Sequence, residues 1–360
     1  MPKTDQLPLY ELMRGEIVES VHYGSIAVSD NQGRLVAWYG DPNTVAFLRS
    51  SAKPFQALPF IENNGPEECN LFPEEIALLC ASHSGTDKHV KYLSTIQKKT
   101  GVMESELRCG IHAPFDEETA FRMRKQGEPL TPNRHNCSGK HTGMLAFANL
   151  QNWPKTDYFD PQNPVQKSII RCFSEMCGVE KDAISIAIDG CSAPNFAIPL
   201  INTALAYARL CDPQDFSDTR AKACRSITSA MTRHPFMVGG PNRFDTQIME
   251  ATSGRILSKA GAEGYQALGI MAGGLGTNSP ALGIAIKISD GDLKNRARPA
   301  VALEILDQLN ALTIEEKTAM QSFGPSLSIE NYRGIEIGFT RPTLKLNTIY
   351  SKQKSVNDHR

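Results

Sequence analysis

The stretch Arg49-Ser50-Ser51-Ala52-Lys53-Pro54-Phe55-Gln56 sets a serine three residues before a lysine, inside a segment from Phe47 to Ile61 whose apolar residues recur at roughly helical spacing. A serine of the Ser50-Ser51 pair can cap such a helix, and Pro54 is tolerated in its first turn. The helix is therefore expected to begin at the serines. Positions i and i+3 share a helix face, so the Lys53 amine can approach the Ser50 hydroxyl and, if burial keeps it neutral, take its proton. A capping serine followed one turn later by a solvated lysine has the same spelling, so the neighbouring sequence has to decide.

Upstream, Ser25-Ile26-Ala27-Val28-Ser29 and Leu35-Val36-Ala37-Trp38-Tyr39 flank the turn signal Asp30-Asn31-Gln32-Gly33-Arg34, a hairpin expected to open the fold. Downstream, Pro73 to Ala81 reads as a helix stopped by Ser82-His83-Ser84-Gly85. His89 to Gln126 is helical with breaks near Gly101 and Gly110, and Pro161 to Cys177 is helical again. Ala183 to Ile188 alternates as a strand, and Ala193 to Leu210 is expected to be a buried helix. Leu282 to Ile288 and Ile335 to Phe339 read as later strands, with a helix between them from Pro299 to Asn310. With no repeat and no low-complexity linker, the expected organisation is a single catalytic unit over 1–350. Its sheet region comes from 14–50 and 250–345 around a mainly helical middle, and a polar tail follows at 351–360.

Composition narrows the function classes. In 360 residues, 41% hydrophobic and 21% charged, the chain is globular in character rather than disordered or fibrous. Lys+Arg 38 against Asp+Glu 39 leaves a net charge of −1, so no global field draws it to nucleic acid or an anionic membrane. The uncharged stretches Gly190 to Ala208 and Tyr265 to Ile286 carry prolines, asparagines and glycines that suit a buried core around a site, not a bilayer. Nine cysteines cannot all pair within one chain, and no secretory h-region follows Met1; a reducing cytoplasm is the expected setting. There most thiols are small buried hydrophobes, and one used for chemistry would be a ligand or nucleophile.

Three further clusters could carry chemistry. Ala81-Ser82-His83-Ser84-Gly85 follows an apolar helix and could present a nucleophile, bind a carboxylate, or simply end the helix. His135-Asn136-Cys137-Ser138-Gly139-Lys140-His141 is the densest reactive run and reads as a site loop leading into a helix. As a metal site it is incomplete alone; Asp189-Gly190-Cys191-Ser192, just past a strand, could complete it, while two buried thiols beside a surface loop is the plainer alternative. Lys259 in Ser258-Lys259-Ala260-Gly261 is a possible desolvated base or a turn lysine, and Gly273-Gly274 suggests a turn or close backbone approach to a ligand. No G-x-G-x-x-G, P-loop or H-E-x-x-H pattern occurs.

Taken in order, these motifs, with Cys109-Gly110, resemble the thermolabile, rhizobial-type L-asparaginase II family over about Arg14 to Ile288. The resemblance implies an α/β (α+β) serine-β-lactamase- and glutaminase-like fold: an antiparallel sheet flanked by helices, with a helical region at the active cleft. It implies an L-asparaginase acting as a homodimer on L-asparagine. Its two Ser-Lys tandems would fall on Ser50 with Lys53 and on Ser82 with Lys259. It implies a Zn2+ ion held by Cys137, Lys140 and Cys191, which supports substrate binding rather than catalysing; the lysine must then be neutral. Arg49, Asp189, His135 and Gly273 are the expected substrate-binding set, with the Gly273-Gly274 edge or amides near Ser50 as oxyanion donors. The rivals are a glutaminase or β-lactam hydrolase on the same fold, and a zinc-dependent protein that binds asparagine without turnover. The Cys137, Lys140 and Cys191 set has no role in β-lactam chemistry, and two Ser-Lys pairs argue for turnover.

Overall fold

The computed structural model describes residues 6–348, so the polar tail expected at 351–360 lies outside the described residues. Contacts divide the chain into two compact units. Among the described residues, one comprises 6–48, Ile198–Asp212 and 258–348; the other comprises Arg49–Ala197 and Pro213–Leu257.

The first unit is built on a sheet whose neighbouring strands run Leu327–Glu330, Glu336–Pro342, Leu7–Arg14, Ile17–Asp30, Leu282–Ile288, Tyr265–Ile270 and Ile256–Ala260. The pairings from Leu327–Glu330 through Tyr265–Ile270 are antiparallel. Leu35–Tyr39 pairs with the second half of Ile17–Asp30, with Val28 opposite Ala37, so the expected hairpin forms. It does not open the fold. Leu7–Arg14 comes first and folds back on Ile17–Asp30 through Gly15-Glu16. Pro8 and two charges obscure this strand in the sequence; the register shift between Pro8 and Tyr10 is the bulge that admits the proline, and Leu9 and Tyr10 are wholly buried.

The helices Leu200–Cys211 and Ala297–Gln308 pack on this sheet. Gly283 makes the first packing possible, since a Cβ there would lie 1.8 Å from the Ala204 carbonyl oxygen. The helix expected over Ala193 to Leu210 is shorter than its sequence suggests. Pro194–Pro199 is a strand paired with Ser185–Ile188, and the helix starts only at Leu200. Pro199 lacks the N–H that a helix interior would need, which makes it a natural boundary.

The second unit is mainly helical, as expected for the middle of the chain. Its helices include Lys53–Glu62, Pro73–Leu79, Asp87–Thr100, Glu117–Gln126, Ser138–Leu150, Pro164–Cys177 and Asp218–Arg233. Gly101 ends Asp87–Thr100 in the left-handed region, at φ 66°, where a side chain would be strained. The first helix begins later than the serine pair predicts: Arg49–Ala52 is a 3-10 turn, Ala52 is the cap residue, and no serine side chain caps it. Among the described residues no helix is long and apolar enough to cross a membrane. The mixed α/β class with an antiparallel sheet and packed helices is the architecture expected.

Candidate active site

Four segments of the helical unit bring reactive side chains together. The first is the 3-10 turn before Lys53. Arg49 occupies the left-handed region, φ 52°, and is held there by its backbone N–H to Asn195 Oδ1 at 3.0 Å and its Nε to Asp189 Oδ1 at 2.8 Å. Lys53 then starts the helix with its amine almost fully buried.

The second segment is the end of Pro73–Leu79. The chain from Ser82 to Gly85 is pinned on every side: the Ser82 N–H to the Val238 carbonyl, Ser84 Oγ to the Gly239 carbonyl, and the Gly85 N–H to His83 Nδ1. His83 Nε2 lies 2.9 Å from Ser138 Oγ. These bonds aim Ser82 at Lys53. The lysine amine donates to Ser82 Oγ at 2.9 Å, to the Ala81 carbonyl at 2.6 Å and to the Asn136 carbonyl at 3.2 Å. Burial pushes its pKa below the ordinary lysine value, and the neighbouring Lys140 charge adds to this against the opposing pull of the Cys137 sulfur. Ser50, half-buried in the turn, is not among the acceptors of that amine.

The third segment, His135 to Lys140, runs into Ser138–Leu150. Gly139 is required by packing, since a Cβ there would lie 2.1 Å from the Leu78 carbonyl oxygen. Its absence lets this helix close on Pro73–Leu79 and sets Cys137 and Lys140 beside the Lys53 amine. The fourth is the turn between Ser185–Ile188 and Pro194–Pro199, closed by the Asp189 N–H to the Ala193 carbonyl, with Ser192 at φ 72°. It delivers Asp189 and Cys191.

Cys137, Cys191 and Lys140 meet in the interior. The Lys140 amine donates to Cys191 Sγ at 2.8 Å, and Asp189 Oδ2 is 3.8 Å from the same sulfur. The Cys137 thiol is held well below its ordinary pKa, chiefly by its hydrogen bond with Cys191, while Cys191 is pushed up by that bond and by burial. Burial works against the Lys140 cation, yet the two thiols and Asp189 hold its pKa above the ordinary value.

Among the described residues no group of three or more His, Cys, Asp or Glu side chains is arranged to hold a metal. Two converging thiols with a lysine amine as third donor do fit a borderline-soft ion such as zinc, which takes sulfur and nitrogen readily. Those three are the donors such an ion would use. All nine cysteines are free thiols.

The remaining expected residues divide. His135 lies in the site, accepting the Cys137 N–H on Nδ1 at 3.0 Å, so its Nε2 carries the proton; burial, with His112 and Lys53, pushes its pKa down to about 3. Lys259 and Gly273 belong to the other unit. Lys259 is fully buried on Ile256–Ala260 with its amine on the Ala260 carbonyl. Gly273 is exposed, and its N–H is bonded to the Ser279 carbonyl, as that of Gly274 is to the Met271 carbonyl. Sequence reasoning missed His112, whose ring centroid is 4.2 Å from that of His135 and whose Nε2 accepts the Asn136 N–H. It also missed Tyr158, bonded to His141 Nδ1 at 2.6 Å. Neither stands in a reactive motif, so only their contacts reveal them.

The L-asparaginase II family model matches residues 10–342. No curated protein gives a significant sequence match. Among solved structures, the chain is similar to a probable glutaminase from Bacillus subtilis complexed with 6-diazo-5-oxo-L-norleucine, at 12% identity and TM-score 0.36 over 80% of this chain and 84% of that one. It is also similar to the covalent complex of a Bacillus subtilis glutaminase with 5-oxo-L-norleucine, at 12% identity and TM-score 0.37 over 80% and 88% of the two chains.

Proposed function

We propose that this chain, which belongs to the L-asparaginase II family, hydrolyses the side-chain amide of L-asparagine to L-aspartate and ammonia. Family membership supports amide hydrolysis as the reaction class; L-asparagine as substrate and the Ser-Lys mechanism are our reading. The observation that carries it is the buried Lys53 amine bonded to Ser82 Oγ three residues after Ser50. A desolvated amine with a lowered pKa is a base able to work near neutral pH.

In this mechanism Ser50 Oγ attacks the amide carbon and its proton passes to neutral Lys53. The tetrahedral oxyanion is met by backbone amides near Ser50. Ser82, held by the same amine, hands a proton to the departing nitrogen and is reprotonated by Lys53. Ammonia leaves, and water then cleaves the Ser50 ester through the same base. Arg49, fixed against Asp189, offers its guanidinium to the substrate carboxylate, while Asp189 and His135 receive the polar α-substituents.

Cys137, Lys140 and Cys191 are the proposed zinc donors, with Lys140 giving up its proton on binding. The chemistry the ion supplies there is a fixed positive charge that favours substrate binding. We propose a cytoplasmic homodimer as the working form, its assembly to be read by light scattering.

The test is ammonia release from L-asparagine, L-glutamine and a chromogenic β-lactam by wild type, Ser50→Ala and Ser82→Ala. We expect asparagine to be the best substrate and both variants to lose turnover. Full activity in Ser50→Ala would remove Ser50 as nucleophile. Asparagine-dependent thermal stabilisation without ammonia would favour a binding protein instead. Zinc competition with a chromophoric chelator should show Cys137→Ser and Cys191→Ser binding far more weakly than wild type.

A further inference from the structure

We infer that the first unit carries a binding site for a small organic anion, with its carboxylate or phosphate group on Arg296 and Lys294 and its apolar part on the neighbouring sheet. None of the residues that form it belongs to the candidate active site, so it goes beyond the amide-hydrolysis reading. The register of the sheet builds the floor. Leu327 stands opposite Thr340, Thr340 opposite Leu12, and Leu12 opposite Ser20, one row across four neighbouring strands. Residues directly opposite each other in antiparallel pairs share a face, so the row presents two leucines and two hydroxyls together. With Lys294 and Arg296 beside it, the row lines a cleft of about 490 Å³, a size that suits a small molecule.

The charged side chains that line this cleft are three cations and one carboxylate. The carboxylate is already used: Arg14 donates to Glu19 from Nε at 3.0 Å and from Nη2 at 2.8 Å. Among the described residues Lys294 and Arg296 make no ion pair. Arg296 is nevertheless fixed. Its Nε donates to His22 Nε2 at 3.0 Å and its Nη2 to Ser20 Oγ at 3.0 Å. A guanidinium N–H can only donate, so His22 Nε2 accepts, and the ring's proton sits on Nδ1 and goes to Asp290 Oδ2 at 2.7 Å.

His22 is itself buried, so the guanidinium leans on a fixed support. The Asp290 carboxylate stands on the far side of that imidazole, and Asp292 is taken up by the backbone N–H groups of Arg296, Ala297 and Arg298. The arginine is thus aimed by neutral groups, and its Nη1, with two N–H groups, bonds to no described residue. Such a side chain has already lost the rotamer freedom that binding would cost, and a guanidinium edge matches the two oxygens of an oxyanion. The excess of positive charge selects an anion, and the leucines favour one with an apolar body over an inorganic ion.

The test is calorimetric titration of the full chain with two matched pairs of probes, phenyl phosphate against inorganic phosphate and benzoate against acetate. We expect the aromatic member of at least one pair to bind more tightly than its partner, since only it covers the leucines; the pair in which this holds identifies the head group. Lys294→Gln should weaken that probe about 2–5-fold, as loss of one exposed charge does, and Arg296→Gln about 10–100-fold. Glu19→Gln should act in the opposite sense, because it removes the carboxylate from the lining and releases Arg14, tightening binding about 2–5-fold. If Arg296→Gln fails to fold, the other two variants decide, since they lie at exposed positions and move the affinity in opposite directions. No saturable binding to wild type, or unchanged affinity in the folded variants, would overturn the site. Equal binding within both pairs would show an adventitious ion only and overturn it as well. Ammonia release is not the readout, so failure here leaves the amide-hydrolysis reading standing.

Discussion

The Lys53 amine reaches across 29 residues of sequence to donate to Ser82 Oγ at 2.9 Å, while Ser50, only three residues away, is not among its acceptors. Its other two acceptors are the Ala81 and Asn136 carbonyls, so three segments together fix where a buried amine points. Replacing it with a residue of similar length and no amine tests the base directly. Lys53→Met should lower kcat for amide hydrolysis about 10²–10⁴-fold with little change in KM. Lys53→Arg should not rescue it, because a guanidinium stays charged and cannot accept the proton. Wild-type kcat in Lys53→Met would exclude this lysine as the base.

Asp189 accepts from Arg49 Nε at 2.8 Å and retains a partly exposed side chain. Asp189→Asn keeps the shape and removes the charge, leaving the guanidinium less well oriented. We expect KM for L-asparagine to rise about 10–100-fold, the equivalent of one charge-assisted hydrogen bond, with kcat falling less. Steady-state kinetics decides, and an unchanged KM would remove Asp189 from substrate binding.

Gly139 has the Leu78 carbonyl where its Cβ would be, at 2.1 Å. The obstacle is backbone, so the helix Ser138–Leu150 must move. Gly139→Ala should destabilise the protein by at least about 1–3 kcal/mol in denaturant unfolding and displace Lys140 and Cys137 from their contacts. Gly110→Ala is the control: no atom lies within 4 Å of a Cβ there, so its cost comes only from the left-handed backbone at φ +84°.

His89 sits fully buried in the first turn of Asp87–Thr100, with Nδ1 accepting the Thr86 N–H and Nε2 donating to the Phe236 carbonyl. Burial lowers its pKa from 6.5 to about 4. The unfolded chain therefore binds a proton between those values that the folded protein refuses, and stability rises with pH across that window. The stabilisation is fully present above about pH 6.5 and is lost as pH falls through about 4, a loss of about 3 kcal/mol from this group. Melting midpoints between pH 4 and 7 should fall less steeply in His89→Gln than in wild type; parallel curves would show that His89 is not responsible.

Much of the fold could be read from local pattern. Alternation and the Asp30-Asn31-Gln32-Gly33-Arg34 turn located the pairing of Ile17–Asp30 with Leu35–Tyr39, and the glycines at 101 and 127 end the helices before them. Two kinds of segment defeated that reading. Leu7–Arg14 carries a proline and charges that only the bulge and the neighbouring strands accommodate. Pro194–Pro199 is apolar enough for a buried helix, and its pairing with Ser185–Ile188 makes it a strand. In each the deciding term is pairing with another strand, which outweighs a weak local preference.

The sequence by itself determined which residue types were available: a lysine three after a serine, two cysteines beside a lysine and an aspartate, and glycine at 139 where no side chain fits. These are chemical identities, and the family resemblance rests on them. Tertiary structure alone decided the partners. Lys53 is bonded to Ser82, Lys140 to Cys191, and His141 to Tyr158, three pairs separated by 29, 51 and 17 residues. The physical reason is burial. A solvated lysine or histidine has water as its partner and needs no other, whereas a buried polar group must find its donors and acceptors in whatever segments pack around it.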